Sequence, residues 1–172
     1  MASKMKNDTF ANLAAVFPLE ASAGTAAYSK YAFPFSIMDK MGLIINRIEY
    51  WPTNLSSLNS GTDTVTGGLS ISSSITDLAD QSNPAIVDSF RLQRLDLGTA
   101  ASGLFIGEPF VKDFSSLPGG GLLVAPNPLY GFVQSSGAAG VMGCWIKLFY
   151  NYMELSADEY WQLVESRRII SS

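Results

Sequence analysis

The side chain that most often moves protons in enzymes is missing, because the 172-residue chain contains no histidine. Its absence removes the usual general base, every Ser–His or Cys–His nucleophile pair, and the imidazole metal ligands. The lone cysteine, Cys144, has no CxxC partner and reads as a small core residue. What remains is a set of carboxylates, two of which could hydrolyse a glycosidic bond if they faced each other across a cleft. Their placement argues against it. Glu49 alternates with Arg47 and suits an ion pair, while Asp158 and Glu159 sit where a helix begins. Asp77, Asp80 and Asp88 fall in a polar stretch with few hydrophobes to raise a carboxyl pKa, and their spacing is not that of a calcium loop. Pro118-Gly119-Gly120-Gly121 lacks the Lys-Ser or Lys-Thr that completes a phosphate loop, so it reads as a turn. Tyr28, Tyr31 and Phe33 could stack on a sugar, but a strand packed on both sides explains them more simply. The chain is therefore expected not to be an enzyme, and to carry no catalytic residue, metal or cofactor.

Charge narrows the partners. Only 15% of the residues are charged, against about 25% in an ordinary domain. A surface so thinly charged is expected to be covered in part by neighbouring subunits. The net charge is −4, and the eleven basic residues are scattered. No basic stripe is present to neutralise phosphates, so strong direct nucleic-acid binding is not expected. No run approaches the roughly 20 apolar residues of a membrane-spanning helix.

The elements that must carry such contacts are mostly strands. From Thr25 onward, short apolar runs alternate with Gly, Pro, Ser and Asn, the pattern of an all-β sandwich. Eight strands are predicted, over 27–37, 43–51, 68–76, 89–97, 104–112, 122–125, 129–134 and 141–155, enough for two four-stranded sheets. In the third, Leu69, Ile71, Ser73 and Ile75 alternate with Ser70, Ser72 and Ser74, which predicts one core face and one wet row of hydroxyls. The second and last strands read as apolar on both faces. Strict alternation sets Ile44, Ile48 and Tyr50 against Leu43, Ile45 and Trp51, and sets Ile146, Leu148, Tyr150 and Tyr152 against Trp145, Phe149 and Met153. Such strands need a second cover from a helix, a loop or another subunit. The phase slip between Leu92 and Leu95 predicts a β-bulge at Gln93 and Arg94. Long connections, such as 53–67, are expected to serve as contact surfaces.

The termini complete the plan. Ser156 and Glu159 form a capping box, Leu155 can staple onto Tyr160, and a helix over 157–168 follows, acidic at its start and basic at its end. At the other end Phe10, Leu13, Ala14 and Phe17 recur at helical spacing, which predicts a short amphipathic helix. Lys4, Lys6 and the small residues at 21–23 resemble a signal peptide. Asn7, Asp8 and Asn12 interrupt the apolar run, however, so the segment is expected to stay on the protein. The expected organisation is an N-terminal arm (1–24), a jelly-roll domain (25–155) and a C-terminal helix and tail (156–172). Subunit contacts are expected through Phe10, Leu13, Phe17, Trp161 and Leu163.

Two stretches also resemble a known family. They are Gly42-Leu43-Ile44-Ile45-Asn46-Arg47-Ile48-Glu49-Tyr50, and the late segment Leu122 to Tyr130 followed by Trp145 to Trp161. Both are similar to the single jelly-roll major capsid proteins of small tailless icosahedral viruses of bacteria and archaea. The resemblance covers about a third of the chain. It implies a structural coat protein, made in the host cytoplasm and located in the virion, many copies of which self-assemble into an icosahedral shell around the genome. Penton or other capsid proteins and an internal membrane are the further partners it implies. The missing basic arm departs from many coat proteins and puts direct genome binding in doubt. A carbohydrate-binding jelly-roll module and a phage fibre or tail component are the rival readings.

Overall fold

The computed structural model describes residues 13–33, 39–59, 61–75, 78, 82–94, 109–125 and 128–171. Nine strands and one long helix are found among them: β1 (Leu13–Ala21), β2 (Ala26–Tyr31), β3 (Met41–Thr53), β4 (Thr64–Ser70), β5 (Ile86–Gln93), β6 (Phe110–Asp113), β7 (Leu122–Val124), β8 (Leu129–Ser136), β9 (Met142–Glu154) and α1 (Ala157–Ser171).

The strands form two antiparallel sheets. One runs β1-β9-β3-β6 with β7 also paired to β3, and the other runs β2-β8-β4-β5. The pairings nest: β4 with β5 innermost, then β3 with β6 and β7, then β2 with β8, and β1 with β9 outermost. This is a long antiparallel hairpin rolled into a jelly-roll sandwich, the all-β architecture that the strand spacing predicts, with sheets of five and four strands rather than two of four. The eight predicted strands correspond to β2–β9 and the ninth is β1, while the partner of β3 is broken into two of the predicted strands, β6 and β7. β6 covers residues 47–50 of β3 and β7 covers residues 43–45.

β3 is broken at the same place, and the break corrects the two-faced reading of its sequence. Its register with β9 slips between Ile45 and Arg47, leaving Asn46 as an extra residue. A bulge of this kind puts two successive residues on one side and resets the alternation. Leu43, Ile45, Ile48 and Tyr50 consequently all face the core at 0% exposure, whereas strict alternation divides them between two faces. The bulged residue is held by its own amide. Asn46 donates from Nδ2 to the Gly120 carbonyl (2.6 Å) and accepts at Oδ1 from Asn151 Nδ2 (3.1 Å).

Asn46 and Asn151 are buried because the segment leading into β7 crosses this end of the sheet. A Cβ on Gly121 would lie 2.5 Å from Ile44, and one on Gly42 would meet Leu123 and Leu155. Pro118 to Gly121 is a turn, with positive φ at Gly119 and Gly120.

Three further expectations are corrected. β4 ends at Ser70 rather than continuing through Ile75. Ser70 Oγ donates to the Ser72 carbonyl, and the Ser72 and Ser74 hydroxyls bond each other at 2.8 Å. These local bonds compete with a ladder and turn the chain away. Ile71 then bonds back to Ala85, and Leu78 is fully buried.

The irregularity in β5 lies not at Gln93 and Arg94 but beside Val87, where the register with β4 slips between Leu69 and Ser70. Arg94 leaves the strand, donating its backbone N–H to the Asp63 carbonyl and its guanidinium to the Leu58 carbonyl.

Finally, the segment from Leu13 is not helical. It is the edge strand β1, in unbroken register with β9 from Leu13–Tyr150 to Ala21–Met142. Its apolar spacing fits periods of both 3.6 and 2, and pairing with the otherwise open edge of β9 decides between them.

The core lies between the sheets, and one polar bridge crosses it. Tyr50 of β3 is fully buried, its ring 5.0 Å from that of Phe90, and its hydroxyl donates to Asp88 Oδ2 of β5 at 2.7 Å. Burial pushes the Asp88 carboxyl above its ordinary value of 3.8, against the opposing pull of the Tyr50 hydroxyl and Lys112. A carboxyl raised in this way binds its proton more tightly in the fold than in the unfolded chain. Its contribution to stability is therefore complete below pH 3.8 and is lost as pH rises through the raised value. Asp88→Asn keeps an acceptor for Tyr50 and removes the titration. Urea midpoints of the variant are expected to fall less than those of the parent across the range just above pH 3.8.

The helix begins as its cap predicts. Glu159 N–H donates to Ser156 Oγ (3.3 Å) and Ser156 N–H to Glu159 Oε2 (2.8 Å). Leu155 and Tyr160, the two ends of the staple, are both buried.

Candidate functional site

Cross-strand register gathers the side chains of greatest interest on the outer face of the larger sheet. Because Ile48 and Tyr50 point inward, Arg47, Glu49 and Trp51 point outward. Because Cys144, Ile146 and Leu148 are fully buried, Trp145, Lys147 and Phe149 point outward too. The two strands pair Trp51 with Trp145, Glu49 with Lys147, and Arg47 with Phe149. On the far side of β3, Val111 stands opposite Glu49.

Trp51 is 43% exposed, Trp145 51% and Val111 45%. A directly opposed pair places Cβ atoms about 5 Å apart, so the two indoles form one apolar ridge. The charges beside it are pinned. Arg47 pairs with Glu49 at 2.6 Å, the Trp51 indole N–H reaches Glu49 Oε2 at 3.4 Å, and both Arg47 and Lys147 lie over the Phe149 ring, at 5.6 and 4.7 Å from its centroid. Glu49, though charged, is buried at the centre of this group. Fixed ion pairs and cation–π contacts leave little side-chain freedom to lose when the face is covered.

The contact residues expected from the sequence are spread more widely. Phe10 lies outside the described residues. Leu13 and Phe17 stand in β1 at register positions opposite Tyr150 and Ile146. Trp161, on α1, is 54% exposed with its ring edge-on to Tyr160, and Leu163 is half-buried. The register brings none of these onto the Trp51–Trp145 ridge, which reasoning from single strands missed. The available signal was a pair of strands, each with a tryptophan displaced from its aliphatic phase.

Residues weighed for chemistry take structural places. Cys144 is fully buried, and burial pushes its thiol up to about 12. Phe33 is buried edge-on to Tyr31 and Tyr150, and Tyr28 packs near Phe132 with its hydroxyl on the Ile75 carbonyl, so these rings offer no open platform. Asp88 belongs to the inter-sheet bridge, and Asp77 and Asp80 lie outside the described residues. Among the described residues no three His, Cys, Asp or Glu side chains gather as metal ligands, and no helix is long and apolar enough to cross a membrane.

No protein-family model matches the chain, and no curated protein matches it. Among solved structures it is similar to a chain from Bacillus described as "endospore appendages form a novel family of disulfide-linked pili". Identity is 15% and the TM-score 0.31, over 91% of this chain and 99% of that one. It is also similar to a chain of Desmodium yellow mottle tymovirus, at 9% identity and a TM-score of 0.29, over 85% of this chain and 91% of that one. At these scores neither likeness carries an argument about fold or role.

Proposed function

We propose that this chain is a non-catalytic structural coat protein, many copies of which pack into an icosahedral viral shell around the genome. The observation that carries the reading is the Trp51–Trp145 ridge, exposed on a sheet face whose residues a free sandwich would normally make polar. Opposed aromatic anchors flanked by fixed charges are what a repeated, specific contact between subunits uses. The thin surface charge and the resemblance of the Gly42–Tyr50 and Trp145–Trp161 stretches to single jelly-roll capsid proteins point the same way. Penton proteins and an internal membrane are the further partners in this reading. The genome is enclosed without strong direct contact, and the location is the virion after synthesis in the host cytoplasm.

The same ridge favours one rival, since two adjacent indoles also form the platform that a neutral-carbohydrate module needs. Light scattering and negative-stain microscopy on one micromolar sample at physiological salt separate the readings. Uniform closed particles are expected. Filaments would instead indicate a fibre or tail component. A clean monomer whose tryptophan fluorescence responds to oligosaccharide would replace the coat reading with the binding module.

A further inference from the structure

The outer face of the smaller sheet is divided along its length. Towards one end Phe132, Gly68 and Tyr28 form an apolar floor, and the chain after β4 is fastened to it by the Tyr28–Ile75 hydrogen bond. At the other end the face opens into a polar cleft of about 270 Å³, lined by Thr62, Thr64, Thr66, Arg91, Gln134 and Ser136 together with Ser135. The register explains the lining. Thr66 stands between Arg91 of β5 and Gln134 of β8, and Thr64 stands between Gln93 and Ser136, so three strands present polar groups in two parallel rows.

Two features set the cleft apart from an ordinary wet sheet face. Thr64 and Thr66 are only 7% and 5% exposed, yet neither hydroxyl has a hydrogen-bond partner among the described residues. Both hydroxyl oxygens are open to solvent in the cleft, where they can exchange hydrogen bonds with a molecule seated there. In addition, Arg91 forms no ion pair among the described residues, and no carboxylate lines the cleft of a chain whose net charge is −4.

We propose that this cleft binds a carboxylate-bearing monosaccharide unit. The Arg91 guanidinium receives the carboxylate, while the Thr64 and Thr66 hydroxyls and the Gln134 amide exchange hydrogen bonds with the ring hydroxyls. A planar fork of donors matches a carboxylate, and hydroxyls and an amide, which both donate and accept, match a polyol. The absence of an aromatic ring from the lining excludes the stacking by which neutral sugars are usually held. The site is on the opposite sheet from the tryptophan ridge and does not rest on the coat-protein reading.

The test is titration of the full chain with D-glucuronate, D-glucose and acetate, followed by protein-observed NMR. Glucuronate is expected to bind with a Kd on the order of 1 mM, and glucose and acetate at least about tenfold more weakly. Arg91→Gln and Thr66→Val, an exposed change and an isosteric one, are each expected to weaken glucuronate about tenfold with an unchanged amide fingerprint elsewhere. Failure of glucuronate to bind, or equal binding in both variants, would overturn the proposal. Acetate binding as tightly as glucuronate would reduce the site to a simple oxyanion pocket and overturn the saccharide assignment.

Discussion

Replacing Trp51 and Trp145 together with alanine is expected to abolish assembly while leaving a folded monomer. Both indoles are about half exposed in the single subunit, so truncation removes little packing within it. Their value lies in what covers them. Buried aromatic anchors at protein contacts typically cost 2 kcal/mol or more each when truncated, and about 2.8 kcal/mol is already a hundredfold in association constant. In the proposed coat every subunit repeats the contact, so the concentration at which particles appear is expected to rise by at least about a hundredfold. Light scattering checks the loss of particles, and urea unfolding of the dissociated protein checks that the midpoint is close to the parent's. A variant that still forms normal particles would show that the ridge is not the contact. A variant with a large loss of unfolding stability would show that the indoles serve the subunit itself.

The neighbouring residue should behave in the opposite way. Tyr50→Ala removes a fully buried ring from against Phe90 and also strips Asp88 of the hydroxyl that solvates its carboxyl. Truncating a buried aromatic side chain costs about 3–5 kcal/mol, a large share of the 5–15 kcal/mol that holds a typical domain together. Part of that cost is the unpaired carboxylate, so Tyr50→Phe, which keeps the ring, isolates it at about 1–3 kcal/mol. Urea denaturation of the two variants, with assembly prevented, is expected to rank them in that order. Two adjacent positions on one strand, one expected to govern folding and the other association, make a sharp check on the assigned faces of β3.

That division of faces shows where the sequence was readable and where it was not. The capping box at Ser156 and Glu159 was legible because it is local, with both partners within one turn and both hydrogen bonds formed as the spacing predicts. The sandwich was legible too, since strand spacing and turn residues recur along the chain. The faces of β3 were not, because strict alternation counts Asn46 as an ordinary position and so carries the phase of Leu43 and Ile45 on to Arg47, Glu49 and Trp51. The bulge that skips Asn46 is stabilised by Gly120 and Asn151, far away in sequence.

Ser70 to Ser74 misled for the converse reason: a regular alternation is broken by short-range hydroxyl bonds that bend the chain. At Leu13 to Phe17 two periods coincide, and only the open edge of β9 selects the strand. The tryptophan ridge was hidden by the same limit, since opposing Trp51 to Trp145 requires a pairing that no single strand reveals.

The nesting of the strand pairs also sets an order in time. Loop closure grows costlier as the joined residues lie farther apart, so β4 and β5, with Ser70 opposite Ile86, can meet early, and β1 and β9, with Leu13 opposite Tyr150, meet at the greatest entropic cost. Folds dominated by such distant pairings form in milliseconds to seconds rather than microseconds. Trp145 is on β9, and the residue opposite it on its outer flank is Pro18 of β1. The sheet that carries the ridge is thus completed along its β9 edge by the most distant pairing of the nest. In the proposed coat, a chain in which β3 and β9 have not yet paired has no ridge to offer, so premature association of half-folded subunits is expected to be disfavoured by the winding of the roll itself.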